Sequence, residues 1–372
     1  MKMKQVCFLL LGAALAASSC RKSDVNTKDQ QENNDSLLKV FQNSKVPENP
    51  VIDISGKGAS GGKKASGVIR DSVWANNLGK TYFVESDDIT ITTENADVAY
   101  PGAIFGSKDI VRSYQFFPLE RAYDALPIRA SLSVPGTNVS GVIQIPGMDE
   151  TREFVGKVMK NRGNVDQLNS FSYTSTQFTD YNELKYTFGA NVDVGKIAGI
   201  SVSVDGTKIR NRTGIIAKFV QENFTVDMSL PKKTELISVA DANALQQEYA
   251  PVYISSVTFG KIAVFIADTK ADYDEFNAAL KATVNFGLVS GSAQVTDAQK
   301  KLISEAKISI FMRYGDGTTT AESVLGYDKF IESVRKGASV KADAYGGPIS
   351  FRMRNLKNFG IFKTIFKVNV KN

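Results

Sequence analysis

Hydrophobic and polar positions alternate along two long stretches of this chain. Between Phe188 and Val204 every second residue reads Phe188, Ala190, Val192, Val194, Lys196, Ala198, Ile200, Val202 and Val204, with mostly small or polar residues between them. A period of two describes a β-ribbon with one apolar side. Gly195-Lys196 breaks the pattern near its midpoint, where a ribbon can turn back. Each limb then comes close to the roughly 9–11 residues with which a tilted strand crosses a bilayer. In the second stretch Phe276, Ala278, Leu280, Ala282, Val284, Phe286 and Leu288 alternate with Asn277, Ala279, Lys281, Thr283, Asn285 and Gly287, and Ser290-Gly291-Ser292 supplies turn chemistry. This stretch also fits a helix, because Phe276, Ala279, Leu280, Thr283, Val284, Gly287 and Leu288 share one helical face. It is therefore compatible with an amphipathic helix in water and an amphipathic strand in lipid. An ordinary half-buried strand or a surface helix fits the same pattern. The return limb from Ala293 to Lys301 alternates poorly.

Around these stretches the pattern predicts strands over 82–93, 127–135, 142–145, 173–178, 215–228, 252–268, 307–314, 348–354 and 361–370. Gly260 marks a bulge or bend in the longest of them. Helices are predicted over 71–78, which carries Trp74, and over 152–169 and 328–336. Strands followed by helical segments that return to one sheet suggest an α+β fold.

Composition narrows the chemistry. The chain has 372 residues, a formal net charge of +6 and no histidine. Without imidazole there is no Ser-His-Asp or Cys-His catalysis and no histidine metal site. No paired-carboxylate signature, metal-ligand spacing or cofactor motif stands out, so the reading is not an enzyme. The Gly56, Gly58, Gly61 spacing lacks a following helix and a downstream acid, and is read as linker. No dense Lys/Arg block argues for nucleic acid.

Residues 1–20 have a charged start at Lys2 and Lys4, an apolar run from Val6 to Ala17, and Ala17-Ser18-Ser19-Cys20, which resembles a bacterial lipoprotein processing site. The expectation is a signal peptide over 1–19 and a lipid anchor on Cys20. The protein is then exported and held at the outer membrane or cell surface. Polar residues from Arg21 to Pro50 and the Gly-rich stretch after them read as a disordered tether over 20–70, with the globular core over 71–372.

Several short motifs, in order, carry a family resemblance. Tyr100-Pro101-Gly102-Ala103, Ser131-Leu132-Ser133-Val134-Pro135-Gly136, Phe171-Ser172-Tyr173-Thr174 and Phe224-Thr225-Val226-Asp227-Met228-Ser229-Leu230-Pro231 resemble segments of cholesterol-dependent (thiol-activated) cytolysins. The most specific is Pro251-Val252-Tyr253-Ile254-Ser255-Ser256-Val257-Thr258-Phe259-Gly260-Lys261; Ala344-Tyr345-Gly346-Gly347-Pro348-Ile349-Ser350 adds a last match with two glycines inserted. The resemblance implies the membrane-attack-complex/perforin/cholesterol-dependent-cytolysin fold. That fold has a bent central antiparallel sheet flanked by two helical clusters, plus an elongated β region. It also implies rings of monomers on a lipid membrane, in which the two clusters become two transmembrane β-hairpins per monomer. Here those segments are 182–210 and 270–301. By the same resemblance Tyr173, Gly260, Tyr314, Gly315 and Gly317 fall in strand-registration and pivot regions. Ile308 stands at the position of the family's aromatic partner to Tyr173, and Ser175 at that of a glutamate.

The chain stops where the family continues into a C-terminal β-sandwich that recognises membrane. The expectation is a short lipoprotein member that works with a longer cytolysin-like partner. A non-lytic surface binding module with the same fold is the alternative.

Overall fold

The computed structural model describes residues 37–371 apart from 54–67, 114, 120–122, 162–169, 179–180, 185–187, 189–196, 198–208, 210, 212, 233–234, 246–247, 289–293, 314–318 and 339–344. An eleven-stranded sheet forms its centre. Its principal strands are β1 (Ser170–Phe178), β2 (Thr213–Met228), β3 (Val252–Thr269), β4 (Lys307–Arg313), β5 (Thr319–Leu325) and β6 (Gly347–Asn355). Helices α1 (Tyr273–Leu288) and α2 (Asp297–Glu305) lie between β3 and β4, and α3 (Tyr327–Ala338) follows β5.

The antiparallel pair β2–β3 runs the length of the sheet, from Thr213↔Thr269 to Asp227↔Ser256. Its neighbours change along the way. At one end β1 pairs with β2 over Gly214–Glu222 and β4 with β3 over Ile262–Asp268, giving the order β5-β4-β3-β2-β1. At the other end Ile128–Leu132 takes β1's place and β6 takes β4's. The change falls at Gly260. Asn223 is an extra residue in β2 opposite it, and a Cβ on Gly260 would come within 1.9 Å of the Gln221 carbonyl. Gly346, with φ +85°, packs so closely that its Cβ would lie 2.8 Å from Gly260 Cα. Only glycines allow three backbones this near each other, and the predicted bend at Gly260 sits at that junction.

A four-stranded sheet pairs Val51–Asp53, Thr364–Lys371, Gly79–Ser86 and Val68–Val73 in that order, with the first pair parallel. Two sequence expectations fail here. Residues 71–78 are not a helix: Asp71 to Val73 belong to a strand paired with Gly79–Ser86, which supplies a partner along its whole length. The disordered tether over 20–70 is contradicted over 37–53 and over 68–70, which begin the strand Val68–Val73. Leu37 and Phe41 are fully buried and Val40 nearly so, on a helical turn against the main core. Lys357 Nζ donates to Ser44 O, Lys363 N donates to Asn49 Oδ1 at 3.3 Å, and Val51–Asp53 joins the sheet. The polar composition hid three apolar residues at helical spacing. Helix 152–169 starts earlier, at Met148, where Asp149 and Glu150 occupy the favoured first turn, and is described to Asn161; 162–169 lie outside the described residues.

Candidate functional site: two segments over one half of the sheet

The half of the sheet beyond Gly260 is covered on both faces. Ala263, Phe265 and Ala267 of β3, with Ile215, Ala217 and Phe219 of β2 and Ile308, Ile310 and Met312 of β4, face a core shared with α1, α2 and α3. Alternate residues Ile262, Val264 and Ile266, with Ile216, Val220 and Phe311, face the opposite core, which holds Phe178, Tyr181, Leu184, Phe188 and Ile197. The second stretch, and the described residues Phe188 and Ile197 of the first, thus lie on opposite faces of the same strands. Each also joins neighbouring antiparallel strands: the first links β1 to β2, the second links β3 to β4.

The second stretch is helical here. Phe276, Ala279, Leu280, Thr283 and Val284 are buried at helical spacing, whereas Ala278 is exposed and Ala282 and Phe286 are half-buried. Asp274 and Glu275 sit in its first turn, and the Phe276 amide donates to Asp272 O at 3.0 Å. The buried Thr283 hydroxyl donates to Ala279 O at 2.8 Å, so it leaves no unmet polar group. A Cβ on Gly287 would lie 2.4 Å from Val334 Cγ1, so this glycine lets α1 approach α3. The poorly alternating return limb is explained by α2, which Thr296 and Gln299 close with a capping box.

Toward β1 the contact of α1 turns polar. Tyr173 Oη donates to Asn277 Oδ1 at 2.9 Å, Ser175 Oγ and Tyr273 Oη lie 3.0 Å apart, and Lys281 Nζ sits 5.7 Å from the Tyr173 ring centre. Burial, and then Tyr273, push the Tyr173 hydroxyl well above the ordinary phenol range.

Of the first stretch, Phe188 is buried edge-on against Phe311, with ring centres 5.0 Å apart, and Ile197 shares its core. Ala190, Val192, Val194, Ala198, Ile200, Val202 and Val204 lie outside the described residues, as do Tyr314, Gly315, Gly317 and Cys20. Leu288 ends α1.

Sequence reasoning missed Arg313, Asp268, Tyr273 and Asn277. Arg313 is 4% exposed at the end of β4; its Nε donates to Pro348 O and its Nη1 to Thr319 Oγ1 at 2.8 Å, tying β4 to β5 and β6. Asp268 is buried and accepts from the Asn211 amide at 3.0 Å. The available signal was a charged residue closing an otherwise apolar strand run. Among the described residues no helix is long and apolar enough to cross a membrane, which says nothing of strands.

Comparison with known proteins agrees with this architecture. The family model of thiol-activated cytolysins matches residues 77–363. Pneumolysin of Streptococcus pneumoniae is 23% identical over 291 residues, covering 73% of this chain and 60% of pneumolysin. The chain thus spans about 60% of the length of the curated relatives it matches. A solved structure of a non-hemolytic pneumolysin from Streptococcus pneumoniae superposes with a TM-score of 0.66 at 17% identity, over 91% of this chain and 74% of that one. Listeriolysin O gives 0.62 at 15% identity, over 92% and 72%, and the human-specific toxin intermedilysin gives 0.62 at 15%, over 92% and 75%. At such identities the structures speak for the fold alone. That fold is the α+β cytolysin fold, its family is one of pore-forming toxins rather than enzymes, and the chain belongs to the thiol-activated cytolysin family.

Proposed function

We propose that this chain is the subunit of a pore: it assembles edge to edge on a target membrane and inserts residues 182–210 and 270–301 as two β-hairpins. One observation carries the reading. Each covering segment connects two strands that are already antiparallel neighbours, so straightening it prolongs an existing pair, β1–β2 or β3–β4, without new topology. Both segments are long enough for two limbs of about 9–11 residues. The apolar parity of Phe276, Leu280 and Val284 then faces lipid on one side of the extended strand, with Lys281 on the other.

Assembly has to precede insertion. An open strand edge in hydrocarbon leaves backbone groups unbonded, at several kcal/mol each. In the soluble chain β5 covers the outer edge of β4, and Ser309 Oγ and Ser323 Oγ lie 3.0 Å apart across that pair. A ring that uses this edge requires β5 to move. Tyr173, on the opposite edge strand, and the Gly260 junction are the positions this reading assigns to registration and bending. A longer cytolysin-like partner supplies membrane recognition, and Cys20 anchors the exported chain until release.

The capping box on α2 favours the second reading, a non-lytic binding module, because it stabilises the helical form of the return limb. Dye-loaded vesicles separate the two. The full chain is added alone and with a longer family member, and leakage and ring formation are followed by fluorescence and electron microscopy. Rings with leakage support the pore; monomers without leakage in both mixtures sink it.

A further inference from the structure

The far end of the four-stranded sheet carries an apolar tip that the insertion of residues 182–210 and 270–301 leaves unused. Strands Val68–Val73 and Gly79–Ser86 are joined through Trp74 to Leu78. Asn76 and Asn77 take left-handed backbone angles, φ 60° and 55°, that close this turn tightly. The Trp74 amide donates to Gly79 O at 2.8 Å, the Asn77 amide to Trp74 O at 3.1 Å and the Leu78 amide to Ala75 O at 3.5 Å. Val73 is 55% and Leu78 64% exposed. Trp74 is half-buried, and its indole Nε1 donates to Thr81 Oγ1 at 2.8 Å. Lys80 pairs with Val73 across the hairpin, and Lys371 of the adjoining strand pairs with Gly79. Asp71 lies farther back, opposite Tyr82.

We propose that this tip is a contact for the surface of a phospholipid bilayer with anionic headgroups. Val73 and Leu78 enter the acyl boundary, Trp74 sits at headgroup depth, and Lys80 lies beside the headgroups. Three features select lipid. Three of the turn's backbone donors, at Trp74, Asn77 and Leu78, bond within it, which lowers the cost of entering an apolar interface. Tryptophan is suited to the boundary between apolar and wet layers, and the flanking Lys80 suits an anionic surface. A protein partner fits less well: two exposed apolar side chains on a convex turn fall far short of the roughly 800 Å² per side of a stable interface. The proposal rests on the reading that the chain acts on a bilayer, but it assigns a contact separate from the inserting segments.

Trp74 is the only tryptophan in the chain, so its emission reports on the tip alone. The full chain is mixed with phosphatidylcholine vesicles, with and without phosphatidylserine, some carrying brominated acyl chains and all loaded with dye. A blue shift and bromine quenching of Trp74, stronger with phosphatidylserine, support the contact. Leu78→Asp should lower the vesicle-bound fraction about tenfold, and Leu78→Phe should keep it, with circular dichroism unchanged in both. Quenching without dye release upholds the tip, while the pore stands or falls with the mixture that contains the longer family member. Dye release without quenching overturns the tip and leaves the pore standing. Unchanged emission overturns the tip, as does equal binding by Leu78→Asp.

Discussion

Strand β3 is clothed differently along its two halves. From Val252 to Phe259 its side chains lie in a core built from strands, short loops and the N-terminal residues Leu37 and Phe41. From Ile262 to Ala267 they are just as buried, but one face meets α1 and α2 of the β3–β4 connection together with α3, and the other meets Phe188 and Ile197 of the β1–β2 connection. Burial is equal; the freedom of the cover is not. The first half is held by elements far apart in sequence, which have no second place to go. In the second half, under the proposed pore, the connections join the sheet they cover.

The strongest way to break this contrast is to lock the sheet edge. With Ser309 and Ser323 changed to cysteine, and Cys7 and Cys20 to serine, the 3.0 Å approach of the two hydroxyls places the new thiols across one antiparallel pair. Oxidised, this variant should neither form rings nor leak vesicles, and a reductant should restore both. Rings from the oxidised form would remove the need for β5 to move.

Next in size is a pair of core truncations. Leu280→Ala and Ile254→Ala each remove a fully buried side chain, and each should cost about 2–5 kcal/mol in denaturant unfolding. Only Leu280→Ala should also lower the temperature at which leakage begins, since only that side chain holds a releasable cover. Equal leakage thresholds would erase the distinction between the two halves.

A subtler test uses a residue whose two environments differ. Ala278 is exposed on α1 yet shares the apolar parity of the extended segment. Ala278→Lys should change solution stability by less than about 0.5 kcal/mol. It should oppose insertion by about 2–4 kcal/mol at mid-bilayer depth, read as leakage lost while rings persist on the surface. Unimpaired leakage would mean that this face does not meet lipid.

The smallest effect concerns the polar side of α1. Tyr173→Phe removes the bond to Asn277 and should cost about 0.5–1.5 kcal/mol. Burial raises the Tyr173 hydroxyl, so folding favours its protonated form. That contribution is complete below the ordinary phenol range and declines as pH climbs through the raised folded value. Alkaline unfolding curves of the two proteins should therefore converge at high pH, and parallel curves would remove Tyr173 from the account.

The sequence by itself determined most of the strands, because β2, β3, β4 and β6 are each written as a local run of apolar and β-branched residues bounded by Gly, Pro or Asp. It also marked α1 as a segment with two periodicities. The residues buried on α1, Phe276, Ala279, Leu280, Thr283 and Val284, are those of the helical reading, made alongside the strand reading. What the tertiary structure alone decided was which face each element meets. Local alternation carries no information about partners hundreds of positions away. Nothing in Leu37 to Phe41 announced burial beneath a distant core, and the strand from Val68 to Val73 is settled by its hairpin partner rather than by its own residues. Arg313, Asp268 and Asn277 became structural only when folding brought Pro348, Asn211 and Tyr173 within hydrogen-bonding distance. The choice between helix and strand for α1 lies in the surroundings: in water the sheet offers Phe276, Leu280 and Val284 an apolar face, and burying them there favours the helix.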